Sequence, residues 1–85
     1  MKKRKLQRME KAIHQLMEEE GLMDFYSNTD LDFKDLGEML LRVETLENYK
    51  DNNEIEVVEE KELIELNIKI EDLIDYYKTL AKENL

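Results

Sequence analysis

The sequence predicts an all-α fold: a three-helix up-down-up bundle with helices over about 2–20, 31–50 and 54/60–82, dimerisation being left open. Three observations carry this expectation. Apolar residues recur at alternating spacings of three and four in three separate stretches, which is the signature of one helical face. Turn-forming clusters at Gly21, Ser27–Asp30 and Lys50–Asn53 separate those stretches, and no proline interrupts them. At 85 residues the chain holds one domain, 1–85, with a thin core.

The first helix follows from Leu6, Met9, Ile13 and Leu16, with Ala12 and Met17 flanking the same face. Gly21 ends it, because a glycine can take the left-handed conformation of a helix C-cap, and Leu22 is then placed to fold back on Met17. From Leu22 to Asp30 no single period holds, so this stretch is expected to be a loop with Leu22, Met23, Phe25 or Tyr26 tucked under it. The second helix should start near Asp30 or Asp32, whose carboxylates suit free N–H groups. Its stripe is Phe33, Leu36, Leu40 and Val43, and Gly37 within it marks the close approach of a neighbouring helix.

Residues 54–60 are ambiguous. Ile55, Val57 and Val58 among glutamates suit a short strand, but no second strand exists to pair with it. Asn53 and Glu56 have the spacing of a capping box, so an early start of the third helix is expected. That helix carries the longest stripe, Leu63, Leu66, Ile70, Leu73, Tyr77 and Leu80, with Ile74 and Ala81 on the same side.

Composition excludes more than it assigns. There are no cysteines and one histidine, so a thiolate zinc site and a disulfide framework are ruled out. His14 falls on the polar side of the first helix and reads as solvated. The aspartates fail the calcium test: an EF-hand loop starting at Asp30 places Asp35 at the glycine position and Leu41 at the bidentate glutamate, and one starting at Asp24 places Thr29 at the glycine. No phosphate-cradling glycine loop and no nucleophile-base set is present, so no catalytic, cofactor-binding or metal-binding residue is assigned and an enzyme is not expected. No apolar run reaches membrane-spanning length, so a cytoplasmic protein with no membrane partner is expected. Abundant Lys, Glu, Ile and Asn suggest an AT-rich bacterial or phage genome.

Leu66 to Tyr77 is faintly similar to the second helix of the small sporulation aspartyl-phosphate phosphatases. Asn67, Ile68, Lys69, Ile70 and Glu71 stand where that family carries Ser-Gln-Glu-Leu-Asp, so membership is rejected.

The charge map is the informative part. Net charge is -9, yet Lys2, Lys3, Arg4, Lys5, Arg8 and Lys11 crowd the first eleven residues beside a single acid, Glu10. The first helix thus opposes its own dipole, with bases at its positive end and Glu18, Glu19 and Glu20 at its negative end. In an up-down-up bundle those glutamates share a pole with Asp24, Asp30, Asp32 and Asp35, approached by Asp72 and Asp75, with Lys34 as the main relief. At the opposite pole Glu54, Glu56, Glu59, Glu60 and Glu62 are expected to neutralise Lys2 to Lys5 within the chain; the alternative is a basic arm for nucleic acid. Ile64 and Ile68 lie outside the main stripe, in line with Val57. Flanking helices or residues 55–58 are expected to cover them; uncovered, they make a dimer or partner face.

The function expected is therefore binding without chemistry. A small acidic regulator or inhibitor would dock on a partner protein with a basic surface. The contact residues expected are Glu18, Glu19, Glu20, Asp24, Asp30, Asp32, Ile64, Ile68, Glu71, Asp72 and Asp75. If the target normally holds nucleic acid, clustered carboxylates would mimic its phosphates. The alternatives are an antitoxin-like or transcription-associated protein contacting nucleic acid through Lys2 to Lys5, and a structural homodimer through Val57, Ile64 and Ile68.

Overall fold

Two of the helices end where a residue turns the backbone into the left-handed region, Gly21 and Asn53. The computed structural model describes residues 2–83, with side chains from residue 4 onward. It contains α1 (Lys2–Glu19), α2 (Met23–Asn28), α3 (Lys34–Asp51) and α4 (Val57–Glu83), with no strand among the described residues. The all-α expectation holds, but there are four helices and not three. The stretch expected as a loop forms α2, whose six residues are too few to show a period.

α1 closes as expected. Gly21 has φ +69, its N–H donates to the Glu18 carbonyl (3.3 Å), and the Leu22 N–H donates to the Met17 carbonyl (2.8 Å). This is a Schellman cap, and Met17 and Leu22 are both buried beside it. α3 begins a little later than expected. The N-cap is Phe33 and not Asp30 or Asp32, and it makes no side-chain cap; Asp32 sits one residue earlier, where its Oδ1 accepts from the Lys34 N–H (2.9 Å) in a turn that leads into the helix.

The turn before α4 differs from the expected capping box. Asn53 has φ +57 and belongs to the end of α3: its N–H donates to the Lys50 carbonyl (3.1 Å) and the Glu54 N–H donates to the Tyr49 carbonyl (2.7 Å), a second Schellman cap. One half of such a box sits three residues further on, where the Glu56 N–H donates to Glu59 Oε1 (3.0 Å). α4 therefore starts at Val57, and its 27 residues make it about 40 Å long.

α3 is the central element, packing on α1 and on α4, while those two approach each other little. Gly37 is where α1 comes closest. A Cβ built there would stand 2.9 Å from Met9 Cε, 3.1 Å from Met9 Cβ and 3.2 Å from Ile13 Cδ1, so the missing side chain is what lets the helices meet. Arg8 faces Glu44 across the same pair at 3.6 Å. Arg42 ties α3 to α4: Nε donates to Glu62 Oε2 (2.8 Å) and Nη2 to Glu62 Oε1 (3.0 Å), with Glu59 at 4.0 Å. This pairing raises the arginine further and holds the Glu62 carboxyl below its ordinary 4.5, chiefly through the hydrogen bond.

The main core joins Ile13, Met17, Leu22, Phe33, Leu36, Ile70, Ile74 and Tyr77. α2 caps it with aromatic contacts: Phe25 and Phe33 lie 5.8 and 5.2 Å from Tyr77, and Tyr26 lies 5.0 Å from Phe33. Burial raises the Tyr77 phenol above its ordinary value, with Tyr76 and Asp35 adding to it. Towards the start of α1 the core thins, and Leu6 is exposed. The radius of gyration, 14.1 Å, exceeds the roughly 12 Å of a compact chain this long, and the extents of 45 × 29 × 18 Å describe a long, thin body.

Candidate interaction surfaces

The predicted contact residues, Asp72 apart, divide into two surfaces. The first is the end of the molecule where α1 stops, α2 lies and α4 runs out. Glu18 and Glu19 stand exposed at the end of α1, Asp24 in the first turn of α2, and Asp30 and Asp32 on the connection to α3. They gather because the Schellman turn at Gly21 sends the chain back across its own helix end. Local hydrogen bonds fix the loop: Asn28 Nδ2 donates to the Asp24 carbonyl (2.7 Å) and the Leu31 N–H donates to Thr29 Oγ1 (3.3 Å). Asp24 and Asp30 also border a cleft of about 630 Å³, with Phe25 and Ala81 as its apolar wall and Lys82 beside it.

Glu20 departs from this group. Lys78 of α4 reaches its carboxylate at 2.9 Å, so the relief at this pole is Lys78 and not Lys34. Glu18, Glu19, Asp24, Asp30 and Asp32 have no such counter-ion among the described residues.

The second surface is the outer face of α4. The expected cover over Ile64 and Ile68 is absent: they are 58% and 53% exposed and Val57 is 71% exposed, because α1 and α3 both lie on the side of Leu63, Ile70, Ile74 and Tyr77. Residues 55–58 do not fold over them, since Val57 and Val58 are the first residues of α4 and are themselves exposed. Glu71 and Asp75 share this exposed face. Ile64 lies 14 residues before Lys78, hence about 21 Å along the helix from the acidic pole. A single local contact does not reach from Glu18 and Glu19 to the isoleucines.

Asp72 turns the other way. With Asp35 and Glu38 it rims a groove of about 700 Å³ between α3 and α4, floored by Met39, Leu66 and Leu73. The sequence reading missed this groove, and it missed the exposed Leu31 and Tyr76. Spacing along one helix does not show where two helices diverge.

The basic arm is also corrected. Glu59 and Glu62 are taken by Arg42, while Arg4 and Lys5 are exposed and make no ion pair among the described residues. The side chains of Lys2 and Lys3 lie outside the described residues. His14 is exposed, its ring edge-on to Tyr26 at 5.1 Å. Among the described residues no group of three or more His, Asp or Glu is placed to hold a metal ion, and no helix is long and apolar enough to cross a membrane.

No protein-family model matches this chain, and neither the curated proteins nor the solved structures contain a significant match to it.

Proposed function

We propose that the protein acts by binding and not by catalysis: a small acidic helical protein whose carboxylate pole docks on a basic surface of a partner protein and regulates or inhibits it. The observation that carries this reading is the set Glu18, Glu19, Asp24, Asp30 and Asp32, exposed at one end of the molecule without counter-ions among the described residues. Like charges held together raise the local potential and steer a basic partner into contact. Phe25 in the adjoining cleft supplies the apolar contact that a docking surface needs at its centre. In this reading α1, α3 and α4 form an up-down-up scaffold and α2 is the piece that builds the pole. Where the partner's basic surface normally holds nucleic acid, the carboxylates occupy the phosphate sites. The setting proposed, the cytoplasm of a bacterium or of a phage-infected cell, rests on composition alone.

Affinity capture from a bacterial lysate tests it. The chain should retain a protein with a basic surface, and Glu18→Gln, Glu19→Gln, Asp24→Asn and Asp30→Asn together should weaken that capture at least tenfold, as should raising the salt to 0.5 M. Unchanged capture by the four-fold variant sinks the acidic-pole reading.

One observation favours a second reading. Arg4 and Lys5 stand free of ion pairs among the described residues, which suits an arm contacting nucleic acid phosphates. Deleting residues 1–5 should then abolish binding to labelled DNA and RNA at low salt. Equal binding with and without those residues removes the arm.

A further inference from the structure

Wound at 100° per residue, Val57, Lys61, Ile64, Ile68, Glu71 and Asp75 fall in one strip of α4 about 80° wide, turned about 130° from the buried stripe. All six are exposed. Their spacing alternates between four and three, which keeps them in line along the helix and is the spacing of a helix-helix seam. Among the described residues nothing else reaches this strip, since α3 and the remainder of the core lie on the other side of α4.

The order of residue types along the strip identifies what covers it. A base, Lys61, precedes the two isoleucines, and the acid Glu71 follows them at the matching distance: three residues separate Lys61 from Ile64, and three separate Ile68 from Glu71. The central four residues of the strip, Lys61 to Glu71, complement themselves when reversed, while the outer layer sets Val57 beside Asp75. We propose that this face joins two copies of the chain, their α4 helices packed antiparallel about a two-fold axis at the level of residue 66. Ile64 of each copy then meets Ile68 of the other, and Lys61 meets Glu71 on both sides of that four-isoleucine centre. The overlap runs from Val57 to Asp75, about 28 Å of helix.

A parallel pair is excluded by the same residues. It would set Lys61, Glu71 and Asp75 each against its own copy, three like-charge layers around a short apolar centre. The antiparallel pair has one such contact at its flank, Glu65 with Glu65, and sets Asn67 against Asn67 on the other side, where two amides can hydrogen-bond. A foreign basic helix is a poorer occupant, because Lys61 lies in its path. The dimer does not depend on the acidic pole, which stays open at the far end of each copy.

Sedimentation equilibrium of the full chain from 10 μM to 1 mM in 150 mM salt reads the outcome. A reversible rise from 10.3 kDa to twice that mass is expected. Ile64→Gln with Ile68→Gln should raise the dissociation constant about tenfold or more, with helicity by circular dichroism unchanged because both side chains are exposed. Lys61→Glu and Glu71→Lys should each weaken the dimer, and the two substitutions combined in one chain should restore it. A monomer throughout the range overturns the proposal, as does a dimer indifferent to the isoleucine variant. A double charge variant as weak as either single one overturns the antiparallel register. Adding a designed Lys/Leu amphipathic helix provides the last arm: a chain that stays monomeric while the Ile64 and Ile68 methyl resonances shift assigns the face to a foreign helix instead.

Discussion

Gly21 and Gly37 are required for opposite reasons, and the difference is measurable. Gly21 has open space around it and a positive φ, so a side chain there costs only backbone strain. Gly21→Ala should therefore lower the unfolding free energy by about 1–2 kcal/mol, with no change in packing. Gly37 has ordinary helical backbone but no room. Alanine there gains about 1 kcal/mol of helix propensity, yet its Cβ meets Met9 Cβ at 3.1 Å, which the far end of a flexible side chain could evade and a Cβ cannot. α1 must back away, and overpacking of this kind costs about 1–3 kcal/mol. Urea denaturation of Gly37→Ala should show a net loss, and a net gain would mean that α1 is free to shift. The pH dependence belongs to Glu62, whose carboxyl is held below its ordinary 4.5 by Arg42. A depressed carboxyl contributes stability that is present above the unfolded value and lost as the pH falls through the folded one. The thermal midpoint of the native chain should therefore exceed that of Glu62→Gln at pH 7, and the gap should close as the pH falls below 4.5.

At the scale of elements, α1 and α4 treat their dipoles differently. α4 has Glu59 and Glu60 in its first turn and Lys82 in its last, the favourable arrangement. α1 has no acid in its first turn and no base in its last. Glu18→Gln with Glu19→Gln should thus stabilise the fold by a few tenths of a kcal/mol while weakening partner capture, a separation that marks residues kept for binding at some cost to stability. Thermal unfolding read beside capture checks both halves. α2 shows how much of an element the sequence can conceal. Six residues cannot hold a helix alone in water; Tyr26 holds it by packing on Phe33 beyond the next turn, and Phe25 by packing on Tyr77, far away along the chain. The long helices α1, α3 and α4 were legible because each stripe repeats often enough to stand out from its own segment.

For the whole molecule, net charge and shape act together. A charge of -9 on a body 45 Å long and 18 Å thin repels itself, and the described ion pairs relieve it at only a few points. The thermal midpoint should rise between 20 and 300 mM sodium chloride, as screening reduces the repulsion faster than it weakens the Arg42–Glu62 contact. A falling midpoint would show that the ion pairs dominate. Away from α2, Met9, Leu46 and Leu63 are buried, but Leu6, Val57, Val58 and Ile64 stand exposed, so that end of the molecule is short of cover.

The sequence by itself determined the three long helices, the cap at Gly21 and the excess of acid, because these depend on residue type or on neighbours within a few residues of one another; Gly37 it marked only as a point where some helix comes close, and not which one. The candidate contact residues were equally visible as residue types, but their grouping was not. Only the tertiary structure decided that Lys78 takes Glu20, that Arg42 takes Glu62 and leaves Arg4 and Lys5 unpaired among the described residues, that Asp72 joins a groove with Asp35, and that Ile64 and Ile68 stand uncovered. Those outcomes depend on which side of one helix another is laid and where the two diverge, and helical periodicity, which fixes a face, carries no information about what that face will meet.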